Sequence, residues 1–191
     1  MSISLVTKYN VAGPRYTSYP TVPYWNNDTF SVNAWKNTLK RSFHESNASE
    51  GISLYIHLPF CESLCTFCGC NKRITKNHKV ETPYIESIIK ELKLYIQLFE
   101  ERPIIKELHL GGGTPTFFSP ESLKVLMDGI FSNATKAENA AFSFEGHPNN
   151  TTAAHLELLA SYGFNRVSFG VQDYNETVQK AIHRIQPFEN V

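Results

Sequence analysis

No cysteine lies outside residues 61–70. Four thiols within ten positions cannot staple distant segments together, which excludes the disulfide framework of a small secreted domain. A charge excess is lacking too. Lys and Arg number 18 and Asp and Glu 18, so there is none of the basic surplus that holds nucleic acid. No apolar run approaches the roughly 20 residues that cross a bilayer. The N-terminal stretch MSISLVTKYNVAGPRYTSYP has no signal-peptide core. No short repeat or low-complexity tract interrupts the chain. Clustered thiols of this kind point to metal or redox chemistry, and the expected location is cytoplasmic, with no membrane partner.

What is present is the composition of a globular domain, 41% hydrophobic and 19% charged over 191 residues. Residues 1–50 are polar and aromatic, with GPRYTSYPTVPYW rich in Pro and Tyr, and read as an irregular arm with a short helix near 31–43. After residue 50 the pattern becomes regular. Strands are predicted at 52–58, 105–110, 141–147 and 166–172 from alternation of apolar and polar residues. Helices follow each one. The first starts near Thr82–Pro83, the second at Ser119–Pro120, the third covers 152–162 and stops at Gly163, and the fourth begins at 175–184. Four strand–helix alternations imply a parallel sheet with outer helices, either a β/α barrel or a doubly wound sheet. Four units do not close a barrel, so the expectation is a partial barrel truncated after about four β/α units, the N-terminal portion of a longer protein.

One face of these strands is apolar: Leu54, Ile56 and Leu58, Leu108 and Leu110, Phe142 and Phe144, Val167, Phe169 and Val171. The opposite face carries Tyr55 and His57, Glu107 and His109, Ser143, Glu145 and His147, then Ser168 and Gln172. An ordinary β/α barrel fills its lumen with branched apolar side chains. A polar lumen needs hydrogen-bonding partners once buried, and a large polar ligand supplies them. In parallel α/β proteins ligands sit at the carboxyl ends of the strands, where the cysteine loop, GGGTP, EGHP and QDYN all fall.

Cys61, Cys65 and Cys68 are spaced C-x3-C-x2-C, and Cys70 follows two residues on. Soft thiolates select iron–sulfur clusters, zinc or copper(I). Three thiolates reach three corners of a cubane and leave one iron open. The same spacing also admits zinc, held by three cysteines with Cys70 or His78.

The stretch YIHLPFCESLCTFCGCNK resembles the cluster loop of the radical S-adenosylmethionine (SAM) enzymes. With YNVAGPRYTSYPT, CGCNK, LHLGGGTPT and GFNRVSFGVQDYNETVQKAIHR in order, the chain is similar to the oxygen-independent coproporphyrinogen III oxidases, or coproporphyrinogen dehydrogenases, of that superfamily. The resemblance implies that Cys61, Cys65 and Cys68 bind a [4Fe–4S] cluster. It implies that Tyr55, Phe67, Gly112, Gly113, Thr114, Glu145, Gln172 and Arg184 contact SAM. Tyr55, His57 and Glu145 are the candidate catalytic residues, and Arg15, Tyr16 and Tyr19 the candidate contacts to coproporphyrinogen III, with Lys72 and Arg73 as weaker cations. The implied reaction turns two propionates into vinyl groups, and the implied partners are an electron donor such as flavodoxin or ferredoxin, acting on a monomer. One departure from the family is EGHPN at 145–149, where many members have EVDPR.

Two other readings stand beside this one: a haem-binding trafficking protein of the same superfamily, and a non-catalytic iron–sulfur or zinc module. The expected organisation is an N-terminal substrate-contacting arm, 1–50, and an incomplete radical SAM barrel domain, 51–191. The fragment alone is expected to be weakly active or inactive.

Overall fold

The computed structural model describes residues 4–10, 21–26 and 28–191. Arg15, Tyr16 and Tyr19 lie outside the described residues. The chain divides into two compact units between Thr38 and Leu39. The first holds helix α1 (Leu5–Tyr9), a single turn at Val22–Tyr24 and the start of helix α2 (Val32–Ser46).

The second unit is built on strands β1 (Ile52–Leu58), β4 (Ile104–Gly112), β5 (Thr135–Gly146) and β6 (Phe164–Phe169). Short strands β2 (Phe60–Cys61) and β3 (Arg73–Ile74) pair separately. Helices α3 (Glu81–Phe99), α4 (Pro120–Asn133) and α5 (Ala153–Tyr162) cross between the long strands, and α6 (Glu176–Ala181) follows the last. All long pairings are parallel, in the order β1-β4-β5-β6. That order runs in one direction without reversal. A doubly wound sheet reverses at its switch point, so the progression is that of a barrel wall.

The helices pack on one another, α3 against α4 and α4 against α5, over one face of the sheet. Leu58, Leu108, Leu110 and Phe142 from the strands are fully buried there with Leu123, Leu126, Met127 and Ile130 of α4. Each such side chain contributes roughly 1.5–3 kcal/mol of burial, so the apolar face fixes which side of the sheet the helices cover. Ser119 caps α4 by accepting from Ser122 N–H, and Thr152 with His155 forms a reciprocal cap on α5. Gly163 ends α5 in the left-handed region, as its position predicts.

Three elements differ from the sequence reading. β5 begins at Thr135, because Thr135 and Lys136 of the polar TKAENA segment pair with Ile104 and Ile105 ahead of a register shift. β6 ends at Phe169, so Gln172 stands in a loop with φ 67°. Side chains take the carbonyls that a further strand residue would offer: Gly170 O accepts from Arg184 and Val171 O from Gln186. The backbone turns left-handed at His183, φ 53°, so α6 stops at Ala181 and leaves Arg184 beyond the helix. Val167 and Phe169 are about 40% exposed, unlike their counterparts on β1, β4 and β5.

Candidate cluster and cofactor site

The cysteine loop leaves the carboxyl end of β1 and is closed at its base by β2 and β3. Arg73 N–H donates to Pro59 O at 2.8 Å and Thr75 N–H to Cys61 O at 2.9 Å. Within the loop, Lys72 Nζ donates to the carbonyls of Cys68 and Cys70 at 2.9 and 3.3 Å. This accounts for the lysine of CGCNK, which folds back on its own loop and is not a free cation for a substrate.

The GGGTP turn after β4 packs directly on this loop. Gly113 N–H donates to Leu58 O at 2.9 Å and Thr114 N–H to Phe60 O at 3.0 Å. Gly112 has φ 120°, and a Cβ there would lie 2.9 Å from the His57 ring. The glycines admit the close approach of two backbones before any ligand is considered. Thr114 is buried, and its hydroxyl lies 3.2 Å from Cys61 Sγ.

Cys61, Cys65 and Cys68 are half-buried, whereas Cys70 is exposed. Burial pushes the Cys61 thiol up, the Thr114 hydroxyl opposes this, and the neighbouring Cys68 and Cys65 push it further. Burial also raises Cys68, but the backbone and thiol of Cys70, with Lys72, bring it below the ordinary thiol value. Burial and Cys68 push Cys70 up. A cationic centre placed at the loop would relieve the repulsion that Cys68 and Cys65 exert on the charged form of Cys61. Among the described residues no three His, Cys, Asp or Glu side chains converge tightly enough for a single metal ion. Thiolates on one zinc sit about 3.8 Å apart by the usual Zn–S length; a cubane binds them through separate irons and takes a wider set. The donor set, three soft thiolates on one loop, is one that an iron–sulfur cluster takes. His78, the other candidate zinc ligand, bonds Glu81 instead, at 2.6 Å.

The polar strand face assembles beneath the loop in register. Ser53 stands beside Glu107, Tyr55 beside His109, His109 beside Ser143, and Glu145 beside Ser168. His57 Nε2 lies 2.7 Å from Asn71 O, a carbonyl that only accepts, so Nε2 carries the proton. In the neutral ring Nδ1 then accepts from the Tyr55 hydroxyl at 2.9 Å. Tyr55 also stacks on His109, which bonds Ser143 Oγ at 2.8 Å and points Nε2 at Glu145, 3.7 Å away. Glu145 Oε2 accepts from Gly112 N–H at 3.2 Å. Burial, then Glu145 and Cys70, raise the Tyr55 hydroxyl, which places tyrosine, carboxylate and cysteine loop together. An open groove of about 280 Å³ runs along these strands, lined among others by Ser53, Tyr55, Glu107, His109 and Arg166.

Tyr55, His57, Gly112, Gly113, Thr114 and Glu145 thus adjoin one another and the cysteines. Phe67 is half-exposed on the loop. Arg184 arrives from beyond α6 and donates from Nη1 to Cys65 Sγ at 3.5 Å. His109 completes the constellation; the strand alternation that selects Tyr55 and Glu145 selects it equally. In the EGHPN departure, burial and then Arg184 depress His147 to about 4, so it stands neutral beside the arginine. Asn149 Nδ2 donates to Ile185 O at 2.8 Å.

The chain matches the radical SAM superfamily over residues 55–191. It is 42% identical over 190 residues to the oxygen-independent coproporphyrinogen III oxidase of Helicobacter pylori, covering 97% of this chain and 40% of the relative. It is 37% identical over 187 residues to that of Escherichia coli K12, covering 98% and 39%. A solved structure described as coproporphyrinogen III oxidase (HemN) from E. coli, a radical SAM enzyme, superposes with TM-score 0.79 at 35% identity, over 92% of this chain and 39% of that one. The chain spans about two fifths of the length of the curated relatives it matches. Its parallel α/β fold is the radical SAM fold in part, and the cofactors implied are a [4Fe–4S] cluster and SAM. On the superfamily match over more than half its length, and on a three-thiol loop set above a polar strand face, the chain belongs to the radical SAM superfamily.

Proposed function

We propose that the chain is part of an oxygen-independent coproporphyrinogen III oxidase, an oxidoreductase that gives protoporphyrinogen IX in anaerobic haem biosynthesis. Each of two propionates loses a β-hydrogen atom, carbon dioxide and one electron, leaving a vinyl group. The observation that carries this reading is identity of 37–42% to enzymes of that name across 97% of the chain. Nothing in the site favours haem transport or a structural metal module.

In this reading Cys61, Cys65 and Cys68 hold the cluster. Tyr55, Phe67, Gly112, Gly113, Thr114, Glu145, Gln172 and Arg184 hold SAM. Bound there, cluster and SAM together supply radical hydrogen abstraction. The protein's own part is to orient and to exclude water. Asn71 O and the Tyr55 hydroxyl together fix the His57 tautomer, His109 and Gly112 fix the Glu145 carboxylate, and Thr114 steadies Cys61. Residues 1–50 form the substrate-contacting arm, with Arg15, Tyr16 and Tyr19 meeting the porphyrinogen, and 51–191 form the incomplete barrel. Arginine suits propionate carboxylates by its bidentate fork. The electron donor is of the flavodoxin or ferredoxin kind, and the protein acts as a cytoplasmic monomer. Among the described residues no helix is long and apolar enough to cross a membrane.

The test is anaerobic reconstitution with iron and sulfide, then SAM, a reductant and coproporphyrinogen III. A change in the electron paramagnetic resonance of the reduced cluster on adding SAM, 5′-deoxyadenosine as product, and vinyl groups on the porphyrinogen are expected. The chain alone is expected to turn over weakly or not at all beside a version joined to the remaining length of a relative. Stoichiometric haem capture without decarboxylation by either version overturns the reading.

A further inference from the structure

Gln179 and Gln186 are 5% and 1% exposed, and nothing in the site described so far uses them. They are bonded to each other twice. Gln179 Nε2 donates to Gln186 O at 3.0 Å, and Gln186 N–H donates to Gln179 Oε1 at 2.9 Å. Gln179 Nε2 also donates to Asp173 O at 2.9 Å, and Gln186 Nε2 to Val171 O at 2.5 Å. The Gln186 side-chain oxygen, Oε1, accepts from Arg184 Nε–H at 2.7 Å.

A buried amide whose nitrogen is anchored on Val171 O presents that oxygen in one fixed place. The single Nε–H of Arg184 is shared with Gly170 O at 3.1 Å, and the same carbonyl accepts from Nη2 at 2.6 Å. What faces the cysteine loop is Nη1, at Cys65 Sγ. The segment carrying Arg184 is pinned twice more, by Thr66 N–H on Ile182 O at 3.1 Å and by Asn149 Nδ2 on Ile185 O. An arginine in solvent loses about 2 kcal/mol of rotamer freedom on being fixed; here a buried scaffold is assembled around it.

We propose that Gln179 and Gln186 are positioning residues that hold the Arg184 guanidinium against the Cys65 sulfur, so that the arginine raises the reduction potential of the cluster this sulfur carries. An N–H···S bond and an adjacent positive charge both favour the more negative, reduced cluster. The tuning role rests on the cluster reading above; the positioning role does not.

The test uses Gln186→Met, which keeps length and burial but removes the acceptor, with the milder Gln186→Asn as a second variant if the first does not fold. In the metal-free chain labelled with 15N-arginine, Arg184 Nε–H is expected to exchange slowly with solvent. In either variant only the longer bond to Gly170 O is left to this N–H, and its exchange should accelerate about tenfold. After cluster assembly, the ratio of reduced to oxidised cluster at a fixed ambient potential should fall about three- to tenfold, tenfold being 59 mV for one electron. The same substitution made in an Arg184→Lys background should shift the potential no further. Unchanged Nε–H exchange overturns the positioning role. An equal shift of potential in both backgrounds overturns action through Arg184 and marks the glutamines as merely structural. A chain that assembles no cluster overturns the function proposed above and the tuning role with it, while the exchange result still decides the positioning role.

Discussion

Gly113 and Cys61 meet across the turn that follows β4: a Cβ built on the glycine lies 3.0 Å from the cysteine sulfur and 2.6 Å from Pro59 O. Two loops from neighbouring strands are thus in contact at the backbone. The geometry leaves no room for a methyl group at this point.

Gly113→Ala is therefore expected to destabilise the metal-free chain by about 1–3 kcal/mol, the usual scale of overpacking, and to lower iron uptake on reconstitution. Gly69 lies in the cysteine loop that Gly113 packs against, but a Cβ there meets nothing within 4 Å. Gly69→Ala should change stability by less than about 0.5 kcal/mol. Urea unfolding of both variants checks the contrast. Equal losses would show that the loop responds to any added bulk.

Tyr55→Phe removes the donor on His57 Nδ1. The expected cost is about 0.5–1.5 kcal/mol, and the His57 ring should lose its single Nε2–H tautomer. Long-range 15N spectra of the imidazole read this directly. A ring that stays wholly in the Nε2–H form would mean that Asn71 O alone decides it.

His147 supplies a pH dependence. Its native pKa, near 4, lies below the 6.5 of the unfolded chain. The unfolded state therefore binds more protons between these values, so stability is fully present above about 6.5 and is lost as pH falls towards 4. His147→Gln should flatten the stability profile in that window. An unchanged slope would remove His147 as its source.

Glu81 and His78 act in other windows. The Glu81 side chain is 5% exposed. Burial pushes its carboxyl up, but bonds from Ser122, Ser119 and His78 outweigh this and hold it below its ordinary value. Its contribution is present above the unfolded pKa and is lost as pH falls through the native one. The Glu81 hydrogen bond raises His78, so the histidine's share is complete below 6.5 and disappears as pH rises past its native value. Glu81→Gln is expected to cost about 1–3 kcal/mol near neutrality, because Ser119 N–H and its hydroxyl both bond this carboxylate, at 3.0 and 3.1 Å. Thermal unfolding across pH checks both signs.

Cys70→Ala should leave cluster assembly intact, whereas alanine at Cys61, Cys65 or Cys68 should abolish it. Iron and sulfide content with visible absorption distinguishes the four variants. Loss of iron in Cys70→Ala would make the exposed thiol a ligand.

Much of this was legible along the chain. Alternation at 52–58 and 105–110 and the helical spacing of Ile85, Ile88, Ile89 and Leu92 carry the period of their elements within a few residues, so β1, β4 and α3 could be read directly. The extension of β5 back to Thr135 could not, because TKAENA is polar and its pairing depends on β4. Nor could the early end of β6, where side chains from beyond α6 capture the carbonyls of Gly170 and Val171.

The sequence by itself determined the order of strands and helices, the polar face opposite the apolar one, and the spacing of three thiols, since each is a local pattern repeated over a few positions. Only the tertiary structure decided that Lys72 closes its own loop, that Glu81 is buried under α4's first turn, and that Arg184 reaches Cys65 across 119 residues. Contacts of that range depend on how the sheet stacks its loops at one end, and no periodicity along the chain encodes them.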